Sequence, residues 1–561
     1  MTIESRWTTE VPKCSLQKWV FGSSNDPVPD RKAFLDPERP DTHFLTLADY
    51  RLVAKRLALG LQREGLKPGG RVLLFSGNNL FFPSLFMGVL MAGGIFTGAN
   101  PTYVARELTY QLRDSGATFM VVEESVLEIG LEAAEAAGLS RDKVFIFDAD
   151  VSRAEATQAN QPKPGKAGRT RGVRHWTELL AGDTNKAEAW NWAEPSDPAN
   201  VTCCLNYSSG TTGVPKGVEI SHYSYVANGT GVVFVNDLNP DRQAILARSR
   251  GLCFLPMYHA YAQTYFIANL PRIGTPVYVM PRFDFVKLLT YVQRYRITLL
   301  TCVPPIVVAL AKHPIVAKFD LSSVETIGCG AAPLGQEIGD DVEKLFPAGE
   351  VMVRQGWGMT EVTCTSMAWD PTVHIRSSGV GEMMPNCRAR LVDLETGRDI
   401  TEPETRGELW VTGPTLMRGY WGKPEATRDT ISVDADGTRW LKTGDIAYVE
   451  RAYGPGSIFH IVDRLKELIK VKGNQVAPAE LEAVLLERPD VDDAAVVGVT
   501  IDGEERPRAY VVKAEGSTAK EQDIAEWMAD KVAAHKRLRG GVAFIDAIPK
   551  NPVGYPSPSE P

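Results

Sequence analysis

The chain has 561 residues, 44% hydrophobic and 23% charged, which is an ordinary globular balance and excludes disorder, collagen or coiled coil along its whole length. Lys and Arg number 61 against 69 Asp and Glu, a formal charge of −8, so there is no basic footprint for nucleic acid. An anionic ligand must be held by local N–H groups and a few cations. Eight scattered cysteines form no CxxC pair, which argues against a zinc site and for buried free thiols in a reducing, cytoplasmic compartment.

The first seven residues, MTIESRW, have no apolar signal core. Residues 46–64 carry Leu47, Tyr50, Val53, Leu57 and Leu61 at helical spacing. A strand is expected at 71–76, an apolar helix at 80–92, a strand at 94–97, a helix at 105–114 and a strand at 118–122. The uncharged stretch 80–99 is broken by Pro83, Gly93 and Gly94, so a buried helix–turn–strand is expected there and no membrane span. This alternation predicts a parallel sheet with helices on both faces, and it recurs with strands near 251–255, 276–280 and 298–302.

Residues 152–174, rich in Gln, Pro, Lys, Gly and Arg, read as a solvated loop. Between 380 and 450 turns such as DADG (434–437) become frequent and the strands shorten, predicting a small β-rich subdomain. After Asp463 a compact α+β unit follows, with helices at 480–486 and 521–534 and strands at 494–499 and 509–513. The fold class expected is α/β: a large domain over 1–463 and a small, mobile α+β domain over 464–561.

The strongest chemical signal is YSSGTTGVPKG at 207–217, after the apolar run 201–205. Its glycines let the backbone wrap an anion, Ser208, Ser209, Thr211 and Thr212 offer hydroxyls, and Lys216 adds charge. It is a phosphate cradle without the Walker A spacing, because Gly217 stands where a Mg²⁺-binding Ser or Thr would follow the lysine.

This segment resembles the signature of the adenylate-forming superfamily of acyl-CoA synthetases, firefly-type luciferases and peptide adenylation domains, and further motifs fit in order along the chain. The resemblance makes Ser208, Ser209, Gly210, Thr211, Thr212 and Lys216 the ATP-phosphate loop. QGWGMTE at 355–361 resembles the second nucleotide motif, implying that Gln355 and Gly356 belong to the nucleotide site, Trp357 stacks on adenine, Thr360 reaches a phosphate and Glu361 holds Mg²⁺. Trp357 replaces the commoner tyrosine and keeps a stacking face. Taken alone, this segment reads equally as a Gly-rich loop with a buried tryptophan.

TGD at 443–445 resembles the ribose motif, with Asp445 as acceptor. DRLKELIKVKGNQVAPAELE at 463–482 resembles the interdomain linker of 4-coumarate–CoA ligases and luciferases. It implies ribose or phosphate contact by Arg464, a hinge at Lys466, catalytic contact with the adenylate by Lys470 and Gln475, and CoA contact by Lys472 and Gly473. Without the resemblance it reads as a basic amphipathic strand–turn. MYHAYAQTY at 257–265 resembles the acyl-pocket segment, with His259 near the carboxylate and Tyr261 and Tyr265 lining the pocket; a satisfied core histidine is the alternative. GCGAAPL at 328–334 resembles the loop that forms the pocket's far wall and flanks adenine, implying that Gly330, Ala331 and Ala332 lie there, and Arg282 matches a basic position that the family associates with CoA phosphate.

The resemblance implies an acid–CoA ligase that uses ATP, Mg²⁺ and coenzyme A on an aryl, cinnamoyl or medium-chain acid, with no obligate protein partner. The alternatives are an enzyme that hands its acyl-AMP to another acceptor, or an impaired nucleotide-binding protein. The reason is IPKNPVGY at 548–555, where Tyr555 stands at the position of the family's C-terminal lysine. Three readings stay open: a missing lysine, a differing true C-terminus that would also admit a peroxisomal address, or substitution by Lys550.

Overall fold

The heptad-like apolar spacing over 46–64 forms helix Leu47–Arg63, started by a capping box in which Thr46 and Asp49 satisfy each other's backbone N–H. Its apolar stripe is wholly buried against helix Phe82–Met91. Gly88 permits this approach, because a Cβ there would lie 2.8 Å from the Leu57 Cβ. The computed structural model describes residues 2–158, 172–180, 182–208, 215–471, 474–501 and 504–549, with backbone alone for 474 and 475.

Two large sheets build the body. One runs Gly419–Tyr420, Lys216–Ser221, Thr202–Ser208, Ile95–Ala99, Arg71–Phe75, Phe119–Glu123, Val144–Phe147, Arg174–His175. The other runs Val353–Gln355, Thr326–Cys329, Leu299–Cys302, Gly251–Cys253, Val277–Val279, Lys32–Leu35, Phe44–Thr46. Their central strands are parallel and almost continuously apolar, as burial on both faces requires. Both are nevertheless mixed, because hairpins add antiparallel strands at one edge of each. The expected parallel sheets are thus present, each with an antiparallel hairpin at one edge, because a two-stranded hairpin needs no crossover.

The β-rich subdomain is a six-stranded antiparallel sheet around Arg439–Val449. Its strands do not all shorten, since Arg439–Val449 is 11 residues long and pairs with three neighbours. Strand Ile3–Glu4 joins its edge beside Arg388–Val392, and the Arg6 guanidinium fastens that N-terminal segment to Asp370 and Glu382 at 2.7 and 2.6 Å. The segment read as a loop over 152–174 holds a Ser152-capped helix, Arg153–Thr157, and ends on strand Arg174–His175; residues 159–171 lie outside the described part.

Helices Pro478–Leu486 and Glu521–Lys531 cover the sheet Val491–Ile501, Glu504–Lys513, Gly541–Phe544 around a separate core that includes Leu481, Val496 and Met528. Residues 80–99 form a helix and a sheet strand, and no helix among the described residues is long and apolar enough to cross a membrane. All eight cysteines are free, and seven are buried.

Candidate active site

The phosphate-loop motif sits between two antiparallel strands, Thr202–Ser208 and Lys216–Ser221. Ser209, Gly210, Thr211 and Thr212 lie outside the described residues, but both ends of the loop are visible. The Tyr207 hydroxyl donates to Asp114 Oδ2 at 2.8 Å, and the Tyr110 hydroxyl donates to the Pro215 carbonyl at 2.9 Å. Tyr110 and Asp114 are one turn apart on helix Ala105–Ser115, so one rigid element pins both ends. The Lys423 ammonium closes on the same Asp114 carboxylate, which holds the lysine above its ordinary value.

At the first end of the motif, Ser208 Oγ and the Tyr420 hydroxyl each donate to Glu361 Oε1 at 3.0 Å. Glu361 is only 4% exposed. Burial, with that carboxylate beside it, raises the Tyr420 phenol far above its usual value and keeps it a donor. Lys216 Nζ stands 4.9 Å above the Tyr420 ring. Among the described residues no group of three or more His, Cys, Asp or Glu is placed to hold a metal. A lone buried carboxylate that accepts from the Ser208 and Tyr420 hydroxyls fits Mg²⁺, which takes one or two carboxylates and completes its shell with water and substrate phosphate.

Trp357, 7% exposed, donates its indole N–H to Asp445 Oδ2 at 2.8 Å. Arg464 Nε lies 3.6 Å from Asp445 Oδ1. Burial raises Asp445 above the carboxylate range, while Arg464 and the Trp357 hydrogen bond oppose that rise. Gln355, besides lining the site, has a packing role that the sequence did not show. Its side chain accepts from the Leu334 N–H at 2.7 Å and donates to the Leu334 and Ser378 carbonyls, so it clamps the 328–334 loop. Within that loop Ala331 sits at φ +81°, a left-handed conformation that costs an L-residue about 1–3 kcal/mol.

His259 precedes a short helix, Ala260–Ala262, that widens into a π-helical turn, Gln263–Asn269, a geometry concentrated at functional sites. The Tyr261 and Tyr265 rings meet edge to face at 5.3 Å, and the Tyr265 and Thr365 hydroxyls are 3.1 Å apart. Burial pushes the His259 imidazole down to about 4, so it is neutral at physiological pH. One continuous cavity of about 2140 Å³ is lined by Ser208, Lys216, His259, Trp357, Asp445 and Arg464. Tyr261, Tyr265, Thr360 and Glu361 line it too, as do Gln355, Gly356, Lys466 and the loop residues Gly330, Ala331 and Ala332.

Two expected residues stay outside it. Arg282 is 81% exposed with its guanidinium 3.7 Å from Glu123. Lys470 is exposed on strand Ile469–Val471, with its N–H donating to Glu505 at 2.7 Å. Gln475 is its cross-strand partner, while the Gln475 side chain, Lys472, Gly473, Lys550 and Tyr555 lie outside the described residues. The sequence reading missed Tyr110, Asp114, Tyr420 and Lys423, which belong to no local motif and meet only in the fold. It also missed Glu482, inside the quoted linker motif, whose carboxyl accepts from the Val496 N–H at 2.8 Å and is pushed up to about 8 by burial.

Residues 23–421 match the AMP-binding enzyme family, and residues 480–554 match the AMP-binding enzyme C-terminal domain. A phenylacetyl-CoA ligase of Aspergillus niger, epaB, is 35% identical across 99% of this chain and 97% of its own length. A 4-coumarate–CoA ligase of Nicotiana tabacum is 36% identical across 91% and 87%. The crystal structure of the anthranilate CoA ligase AuaEII with anthranoyl-AMP superposes with a TM-score of 0.81 over 97% of this chain and 96% of that one, at 21% identity, and so shares the fold. The chain belongs to the AMP-binding enzyme family and carries that family's C-terminal domain.

Proposed function

We propose that the protein is an AMP-forming acid–CoA ligase, acting on aryl, cinnamoyl or medium-chain acids. The observation that carries the reading is the single cavity joining the Ser208–Lys216 cradle, the Trp357–Asp445 pair and the aromatic channel behind His259. A carboxylate and a nucleotide held there meet without leaving the protein, and full-length similarity to two ligases supports the same chemistry.

In the first step a carboxylate oxygen attacks the α-phosphorus of ATP, the acyl–phosphate bond forms, and pyrophosphate leaves. Lys216 and Thr360 neutralise and orient the phosphates, Asp445 and Arg464 hold the ribose, and neutral His259 faces the carboxylate without trapping it as an ion pair. Glu361 would hold Mg²⁺, which when bound would supply charge neutralisation at the phosphates. In the second step the CoA sulfur, having lost its proton, attacks the acyl carbon and AMP leaves. The reading divides the chain at Asp463/Arg464 and lets the small domain turn about Lys466, carrying Lys470 and Gln475 to the adenylate first. The same turn then offers Lys472 and Gly473 to CoA, with Arg282 at its phosphate. Eight free thiols suit a reducing compartment, which supports a cytoplasmic site.

Mass spectrometry of AMP and acyl-CoA, after incubating the chain with MgATP, CoA and a carboxylic-acid panel, tests this. An acid-dependent thioester is expected. Nucleotide binding with no acid-dependent AMP release would leave a non-catalytic binder and overturn it.

A further inference from the structure

Helix Pro304–Lys312 connects the cavity wall to the C-terminal unit. Pro304, Pro305 and Val308 line the cavity, and Lys312 stands at the far end of the same helix, about 12 Å along its axis from Pro304. The Lys312 ammonium donates to the Val491 carbonyl at 2.5 Å. Val491 opens strand Val491–Ile501, which belongs to the separate C-terminal core. The carboxylates of Asp490, Asp492 and Asp493 on that unit, and of Asp341 on helix Gln336–Glu343, favour the charged lysine against the cost of its burial. Beside this bond, Leu486 of helix Pro478–Leu486 packs on the core of the body and on the C-terminal core alike. A Cβ on Gly335, in the body, would lie 3.2 Å from the Ala483 Cβ.

These contacts belong to one orientation of the C-terminal unit. In it Ile545, Ile548 and Pro549 line the cavity, while Lys470 is exposed outside it, on the hairpin of Ile469–Val471 and Asn474–Val476. That hairpin is fastened to the strands that follow Val491. The Lys470 N–H donates to Glu505 at 2.7 Å, and a Cβ on Gly498 would lie 3.3 Å from an Ile469 methyl. Hairpin and Val491 therefore move together. The ligase reading puts Lys472 and Gly473, which follow Val471 in the sequence, at CoA. A turn about Lys466 that brings them to the cavity carries Val491 away from Lys312.

We propose that Lys312 is a positioning residue: it holds the C-terminal unit in the orientation used for adenylate formation and so sets the balance between the two half-reactions. The proposal rests on the ligase reading and concerns the control of its two steps. A charge-assisted hydrogen bond made in only one of two orientations favours that orientation by its whole contribution, because the other gains nothing from it.

The test measures the two half-reactions separately on the full chain, with an acid that the unsubstituted protein accepts. Acid-dependent exchange of pyrophosphate into ATP reads the first, and a single turnover of the acyl-AMP with CoA reads the second. Lys312→Met keeps the apolar stem and removes the donor, and it should raise the ratio of acyl transfer to exchange by about tenfold. Loss of folded protein lowers both rates together and leaves that ratio alone. Lys312→Arg restores a cationic donor and should return the ratio towards its original value. Ala483→Leu crowds Gly335 in this orientation and should raise the ratio likewise, which decides the matter if the methionine variant fails to fold. An unchanged ratio would overturn the inference and leave the ligase intact, as would a raised ratio that Lys312→Arg does not correct. Neither exchange nor transfer with any acid would overturn the ligase reading and this one with it.

Discussion

The Trp357 indole N–H donates to Asp445 Oδ2 at 2.8 Å, linking two motifs that lie 88 residues apart. In the proposed ligase the ring assigned to adenine is thereby fixed by the carboxylate assigned to ribose, so the two halves of that nucleoside site would be set as one unit. Trp357→Phe keeps a ring face and removes the donor. A hydrogen bond to a charged group contributes about 1.5–3 kcal/mol, so ATP should bind roughly ten- to hundred-fold more weakly. Calorimetric titration with ATP would check this, and unchanged affinity would show that the bond does not organise the site.

Tyr110 and Asp114 tie both ends of the phosphate loop to one helix. Tyr110→Phe and Asp114→Ala should each raise KM for ATP several-fold, at about 1 kcal/mol per lost bond. The double variant should also lower kcat, because the loop then lacks both anchors. Steady-state kinetics at varied ATP would separate this from mere destabilisation, which would lower the active fraction and leave KM alone.

Stability should fall as the pH rises across the neutral range. Burial lifts Glu482 from 4.5 to about 8 and Asp463 from 3.8 to about 6. For a raised folded-state value the stabilisation is complete below the unfolded value and is lost as pH climbs through the folded one. Glu482 faces the carboxylates of Asp463, Asp493 and Glu467, which push in the same direction as burial. Glu482→Gln should flatten the decline of Tm measured between about pH 5 and about pH 9. A wild-type Tm that is flat over that range would contradict the assignment.

Tyr555 stands where the family resemblance leads one to expect a lysine, and a phenol supplies no cation at neutral pH. Tyr555→Lys should speed acyl-adenylate formation by roughly 10²–10³-fold, the effect of one preorganised donor. Acid-dependent exchange of pyrophosphate into ATP reads that step by itself. An unchanged exchange rate would mean that another group already carries the charge.

Periodicity made the body of the fold legible: the stripe from Leu47 to Leu61 and the apolar run at 71–76 each define an element by which face is buried. The motif residues Ser208, Lys216, Trp357, Asp445 and Arg464 were legible because close backbone approach and fixed charge constrain residue type locally. Contacts between distant segments were not. Ile3–Glu4 is too short to show alternation, and its place beside Arg388–Val392 depends on a partner more than 380 residues away. Asp114 ends an amphipathic helix like many surface aspartates, and only the fold sets it against Tyr207 and Lys423. Gln355 lay in a legible motif, yet its amide faces the 328–334 loop, a choice made by packing.

The π-helical turn at Gln263–Asn269 has a consequence for how such a channel could be re-cut. A wide turn of this kind holds an extra residue relative to α-helical winding, and each residue in an α-helix turns by about 100°. Deleting a single residue inside the turn would remove that extra residue and restore ordinary winding, while the following helix Leu270–Ile273 kept its orientation. Length variation here would therefore re-cut the channel wall locally without disturbing the sheet beyond it.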